Sequence, residues 1–289
     1  MKEALATRLA LLAPAPALVF VVLLIPALYL VWLSLHVSSF GLQPRFVGLE
    51  NYARILADGY FWRALWNTAL IVLVVVHVEL LLGLGMALLF AAGLPMRRLL
   101  LAVVLAPYAV SEVAAVVMWR YLFDPEVGHV SYALQALGLP ALDWAVNPTH
   151  GLLLVALLSI WLHLPFTFMI LYAARLAIPL ELYEAARIDG ASPWQAFRRV
   201  SLPLLVPAIL IAALFRMIFA FRLFSEVWLL TGGGPARSTE VVAVYLYLEA
   251  FRYNAFGAAS ATGWLMVVGS LLLAAPYLWR LAKARRADA

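Results

Sequence analysis

The chain has 289 residues, 66% of them hydrophobic, a formal net charge of +5, no cysteine and a mean hydropathy of +0.98. That composition excludes an ordinary soluble domain, which is nearer half apolar, and leaves room for several membrane spans of about 20 residues each. The missing cysteines exclude disulfides and thiolate metal sites, and the basic residues form no cluster of the kind that holds nucleic acid.

The first apolar span is predicted over about 9–35, bent by Pro14, Pro16 and Pro26. It is too long for a signal-peptide core and is expected to be a retained anchor. A polar connection over 38–60 follows, in which Phe46-Val47-Gly48-Leu49-Glu50-Asn51-Tyr52 reads as a short interfacial helix. Span two, about 62–92, carries Asn67-Thr68 and the small residues Gly83 and Gly85, which let helices approach closely. After a tight connection, 93–98, comes span three, about 99–122, and then a second polar connection, 123–148. Span four covers about 151–178, span five about 202–230 and span six about 256–281. Thr231-Gly232-Gly233-Gly234-Pro235 ends span five abruptly. The predicted fold class is therefore an all-α membrane protein with six transmembrane helices in one domain, 1–289.

Lysine and arginine set the orientation. The N-terminus has Lys2 and Arg8, the two–three connection Arg97 and Arg98, the four–five connection Arg175, Arg187, Arg198 and Arg199, and the C-terminus Arg280, Lys283, Arg285 and Arg286. The other connections hold only Arg45, Arg54, Arg63, Arg120, Arg237 and Arg252. Both termini and the four–five connection are thus expected in the cytoplasm.

That connection, 179–200, reads as two short helices. Glu181 and Glu184 suit the start of the first and Gly190 its stop. Ser192 with Gln195 makes a capping box for the second, with Pro193 at its first position. Arg198 and Arg199 close it. The run Glu184-Ala185-Ala186, three residues, Gly190, nine residues, Val200, one more, then Leu202-Pro203 resembles the EAA motif of ABC importer permeases, with Val200 where isoleucine is usual. In that family the segment is the coupling helix, which seats in a cleft of an ATPase subunit. The resemblance puts the ATPase contact on Glu184, Ala185, Ala186, Asp189 and Gly190.

The likeness covers nearly the whole chain. Phe46-Val47-Gly48-Leu49 with Asn51-Tyr52 is similar to a signature that follows the first span of carbohydrate importers. Pro107, Trp119 and Gly128 resemble their third helix and its loop. Phe215-Arg216, Phe224, Thr231-Gly232-Gly233-Gly234-Pro235 and Thr239-Glu240 resemble the end of the fifth core helix in maltose-type subunits. The resemblance implies a type I ABC importer permease fold in a compact six-helix version, without the extra helices and large insert of the enteric subunit. It also implies partners: a second permease subunit, two ATP-binding cassette subunits that carry ATP and Mg, and an extracellular or lipid-anchored sugar-binding protein. The setting would be the inner (plasma) membrane of a bacterium or archaeon, in contact with lipid. The resemblance implies a disaccharide cargo such as maltose or trehalose, or another α-glucoside; glycerol phosphate and other oligosaccharides belong to the same permease class.

No ATP site is expected in this chain, since a P-loop needs Gly-Lys and the only lysines are Lys2 and Lys283. His36, His77, His129, His150 and His163 show no HExxH pairing, and no Gly-x-Ser-x-Gly elbow occurs. No catalytic residue, metal site or resident cofactor is predicted. Charges inside spans are costly in lipid: His77 and Glu79 in span two, Glu112 in span three, His163 in span four, Arg216, Arg222 and Glu226 in span five. They make either a polar path or structural pairs such as Glu112 with Arg216, with His77 and Glu79 on the structural side. A secondary transporter or channel using them as an ion relay is the competing function, although no internal repeat supports it. An intramembrane enzyme using His and Glu ranks below both.

Maltose-type permeases hold sugar near the membrane midplane. Counting from the EAA glutamate, that resemblance implies Tyr108 and Glu112 on span three, Trp161, Leu162 and His163 on span four, and Arg216, Phe219, Ala220 and Leu223 on span five. The aromatic residues would stack on the sugar, and Glu112, His163 and Arg216 would hydrogen-bond its hydroxyls.

Overall fold

The computed structural model describes residues 13–287. Lys2, Arg8 and the expected start of span one lie outside them. A two-residue antiparallel pair, β1 (His36–Val37) with β2 (Arg45–Phe46), is the sheet content among the described residues. The helices are α1 (Pro14–Ser34), α2 (Glu50–Ala57), α3 (Gly59–Ala91), α4 (Arg97–Leu105), α5 (Glu112–Leu122), α6 (His129–Ala136), α7 (Pro148–Leu176), α8 (Glu181–Ile188), α9 (Pro193–Phe221), α10 (Ser225–Leu230), α11 (Val242–Tyr247) and α12 (Phe256–Ala287). Of these α3, α7, α9 and α12 are long and apolar enough to cross a membrane singly.

The chain divides into two compact units, one holding the described residues up to Trp62 with Tyr245–Val267, the other Arg63–Val244 with the described residues from Val268. In the first, the helix after Phe46 begins at Glu50, and the polar pair of the motif ties it to the end of α1 and to β1. Asn51 Nδ2 donates to the carbonyls of Ser34 (2.8 Å) and His36 (2.9 Å), and the Tyr52 hydroxyl donates to Ser34 Oγ (2.8 Å). The first of these bonds satisfies the Ser34 carbonyl, which the end of α1 leaves open. α12 begins hard against the same strand: a Cβ on Gly257 would fall 1.9 Å from the His36 carbonyl oxygen, so only glycine fits. Arg54 meets Glu249 at 2.7 Å, and the Tyr245 hydroxyl donates to Asp58 at 2.8 Å.

In the second unit α7 carries the core. Phe168, Leu171 and Tyr172 pack with Ala87 and Phe90 of α3 and Ala212 of α9. Lipid is as apolar as these side chains, so tight packing rather than water exclusion holds such helices. Asn67 and Thr68 do a different job. Asn67 donates to the carbonyls of Ser238 (2.8 Å) and Glu240 (2.9 Å), while the Thr68 hydroxyl accepts from Val242 N–H (3.0 Å). They fasten to α3 the loop that follows Thr231, which is also closed internally by Thr239 to Gly234 (2.7 Å) and Arg237 to Glu240 (2.6 and 2.8 Å).

Three expectations about the spans need correction. Span three is not straight: Arg97–Ala109 and Glu112–Leu122 meet at 99°. The chain tightens to a 3₁₀ turn at Ala106–Ala109, which contains Pro107, and then runs extended through Val110 (ψ 137°) and Ser111 (ψ 133°). Proline lacks the N–H that would continue the ladder. Span five ends at Phe221 rather than about 230, because the helix stops at Arg222 and α10 restarts at Ser225. The second short helix of 179–200 does not close at Arg198-Arg199. It continues through a wide π turn, Phe197–Ser201, into the apolar run, so α9 is one helix from Pro193 to Phe221.

Candidate functional site

Both breaks bring an acidic residue to the start of a helix. Glu112 opens α5 after the extended pair, and Glu226 lies in the first turn of α10. α5 and α10 pack together, and both pack on α7. Beside them is a cavity of about 320 Å³ lined by Glu112, Ser159, His163, Arg216, Phe219, Ala220, Arg222, Leu223 and Glu226.

Arg216 is 1% exposed and holds Glu79, 0% exposed, through two parallel bonds, Nε to Oε2 at 2.5 Å and Nη2 to Oε1 at 2.7 Å. Thr167 Oγ1 adds a bond to Glu79 at 3.3 Å. The expected Glu112–Arg216 pair is therefore replaced by Glu79–Arg216. A guanidinium fork matches both carboxylate oxygens at once, and the bend of span three sets Glu112 beside Glu226 instead. Within α7, His163 Nδ1 lies 3.0 Å from the Ser159 carbonyl oxygen. Ser159 Oγ and Glu226 Oε2 are buried without a hydrogen-bond partner.

Of the residues singled out from sequence, Glu112, His163, Arg216, Phe219, Ala220 and Leu223 line the cavity. Tyr108, Trp161 and Leu162 do not. Tyr108 stacks on Phe166 (6.3 Å between ring centres), which meets Phe219 edge-on (5.8 Å). Trp161 packs against Trp119 at 5.6 Å, and Leu162 is buried. Sequence placement left out Ser159, Arg222 and Glu226. For the two charged residues a signal existed, an ionisable group inside an apolar run. Ser159 gave none.

The polar connection builds a second surface. Gly190 adopts φ +74°, and the capping box is formed: Ser192 N–H donates to Gln195 Oε1 (2.8 Å) and Gln195 N–H to Ser192 Oγ (3.3 Å). The Tyr183 and Ser201 hydroxyl oxygens lie 2.9 Å apart, and the Arg175 guanidinium sits 4.2 Å over the Tyr183 ring. So braced, α8 leaves Glu184, Ala185, Asp189 and Gly190 exposed and Ala186 half-buried, with Ile188 and Trp194 open beside them.

Comparison with known proteins gives the family. The family model described as "Binding-protein-dependent transport system inner membrane component" matches residues 79–280. The chain is 36% identical over 274 residues to the sulfoquinovosyl glycerol transport system permease protein SmoG of Agrobacterium fabrum, covering 93% of this chain and 88% of that one. It is 33% identical over 277 residues to the trehalose/maltose transport system permease protein MalF of Thermococcus litoralis, covering 96% and 93%. Among solved structures, a chain of a bacterial alginate ABC transporter in complex with an alginate pentasaccharide-bound periplasmic protein superposes with a TM-score of 0.82 at 21% identity, over 96% of this chain and 94% of that one. The all-α fold is that of an ABC importer permease.

Proposed function

Because the chain belongs to the binding-protein-dependent transport system inner membrane component family, we propose that it forms half of the translocation path of an ATP-driven sugar importer. It is a transport subunit and not an enzyme. The cargo is a disaccharide or oligosaccharide, with maltose, trehalose or a related α-glucoside favoured, delivered by an extracellular or lipid-anchored binding protein. The cavity carries this reading. Carboxyl, hydroxyl, imidazole and guanidinium groups line the cavity together with Phe219, and sugars are held by such hydrogen bonds combined with ring stacking. The trehalose/maltose relative supports the same class of cargo.

A second permease subunit completes the path. Two ATP-binding cassette subunits bind ATP and Mg and dock on Glu184, Ala185, Ala186, Asp189 and Gly190, whose exposure on a braced helix pair suits an interface. Loop 179–200 and both termini face the cytoplasm of the inner membrane of a bacterium or archaeon, as the arginine distribution supports. An ion relay is disfavoured: Arg216 and Glu79 are engaged with each other, which suits a structural pair.

Reconstitution with the co-purified ATPase, second permease and binding protein tests the reading. Uptake of labelled maltose or trehalose into liposomes is expected to require ATP. Uptake driven by an ion gradient without ATP, or no uptake of either sugar, overturns it.

A further inference from the structure

The two glycines of span two meet different surroundings. A Cβ on Gly83 would fall 3.1 Å from the Thr167 methyl and 3.3 Å from the Phe168 nitrogen, so this glycine serves close packing on α7. A Cβ on Gly85 would meet nothing within 4 Å. Gly85 instead lines a groove of about 690 Å³ away from the polar cavity. Leu81, Leu84 and Leu88 line it too, and their three- and four-residue steps put them with Gly85 on one face of α3. Trp194 and Phe197, at the start of α9, supply further apolar lining. Much of this surface is open: Leu81 is 72% exposed and Trp194 67%.

The groove also holds a cation. Arg175, in the last turn of α7, lines it. Phe90 meets Tyr172 at 6.0 Å and Gly83 lies against Phe168, so α3 and α7 run side by side and Arg175 falls toward the Ala92 end of the stripe. Among the described residues Arg175 belongs to no ion pair. It has the face of Tyr183, but its Nε is buried without a hydrogen-bond partner. A half-buried guanidinium beside leucines is costly unless an anion joins it, and its planar fork matches phosphate oxygens.

We infer that this groove binds an anionic phospholipid, its acyl chain along the α3 stripe and its headgroup phosphate at Arg175. The charge pattern selects that occupant: an apolar trough with one unpaired cation complements an amphiphile with a negative head. Tyr183 and Trp194, which also line the groove, are residue types enriched where membrane meets water. The open notch at Gly85 leaves room for the chain. The inference needs a membrane around the protein and is independent of the cargo proposed above.

The test is photolabelling of the complete complex in detergent with a phosphatidylglycerol whose acyl chain carries a diazirine. Digestion and mass spectrometry locate the label, and size-exclusion chromatography checks assembly. Label is expected in the peptides holding 81–92 and 193–197. Unlabelled phosphatidylglycerol should compete about fivefold better than phosphatidylcholine, the scale of one arginine at a membrane surface. Arg175→Gln should remove that preference, while Arg175→Lys, which keeps the charge, should retain most of it. Gly85→Leu fills the notch without a backbone clash and should cut labelling of both peptides severalfold. Label confined to other peptides overturns the inference, as does equal competition by the two lipids in wild type. Unchanged preference in assembled Arg175→Gln, or unchanged labelling in assembled Gly85→Leu, overturns it too. A groove covered by a helix of the second permease subunit gives no label at 81–92, and wild type alone decides that case. Each of these outcomes leaves the sugar reading, whose test is uptake, untouched.

Discussion

Glu79 and Arg216, 137 residues apart in the chain, form a two-pronged ion pair between α3 and α9 that is closed to solvent on both sides. Removing one partner strands a charge, which costs about 3–5 kcal/mol. Glu79→Leu should therefore lower the unfolding temperature and the yield of assembled complex. Adding Arg216→Met should recover at least about 2 kcal/mol, because a buried pair can be replaced by apolar groups. Thermal unfolding in detergent reads both, and a single variant as stable as wild type would show that the pair is not a structural tie.

Gly190 isolates a backbone effect. A Cβ there meets nothing within 4 Å, yet φ is +74°, so a substitution strains only the left-handed turn, by about 1–2 kcal/mol. Gly190→Val should disturb the docking surface more than Gly190→Asn, since asparagine tolerates that region. Glu184→Lys, on an exposed position, should leave the unfolding temperature in place and still separate ATP hydrolysis from uptake. The ratio of sugar transported to ATP hydrolysed is the measurement; normal ratios in Gly190→Val and Glu184→Lys would contradict the assigned role.

A chain without cysteine suits labelling. Asn147 is exposed, but its side chain accepts from Thr149 and His150 N–H to cap α7, and losing a cap costs about 1 kcal/mol. Its neighbour Val146, 69% exposed, is the better probe. Val146→Cys should react with an impermeant thiol reagent added outside intact cells, while Ser192→Cys should react only after permeabilisation. The reverse pattern inverts the orientation.

Local features of this chain were legible in its sequence, and distant ones were not. The capping box at Ser192 and the left-handed Gly190 depend on residues within a few positions, and they appear where the pattern put them. The long spans followed from hydropathy. The breaks at Val110-Ser111 and Arg222–Phe224 escaped because Val110, Leu223 and Phe224 continue the apolar runs, and hydropathy averages over a gap of two or three residues. Once the breaks are missed, Glu112 and Glu226 read as mid-span charges instead of helix-opening ones. The choice of Glu79 over Glu112 as partner for Arg216 is a tertiary fact with no local trace.

The aromatic residues divide by where they sit. Phe219 lines the cavity, whereas Trp161 packs on Trp119 and Tyr108 reaches Phe219 only through Phe166. Phe219→Ala should lower sugar uptake about tenfold, comparable to the loss of one good stacking contact. Tyr108→Ala should have a smaller effect, and Trp161→Ala should act mainly on thermal stability. Equal losses of uptake in all three, at unchanged stability, would place Tyr108 and Trp161 on the sugar as well.

α9 is continuous from Pro193, beside the exposed Trp194, to Phe221, beyond the cavity residues Arg216, Phe219 and Ala220. At about 1.5 Å per residue, its loop end and its cavity end are on the order of 35 Å apart on one continuous helix. The loop and the cavity residues Arg216, Phe219 and Ala220 are thus joined through one helix rather than across a side-chain interface. The wide turn at Phe197–Ser201, held by Tyr183 at Ser201, sits near the loop end. The π turn therefore lies between the loop and the stretch of the same helix that carries Arg216.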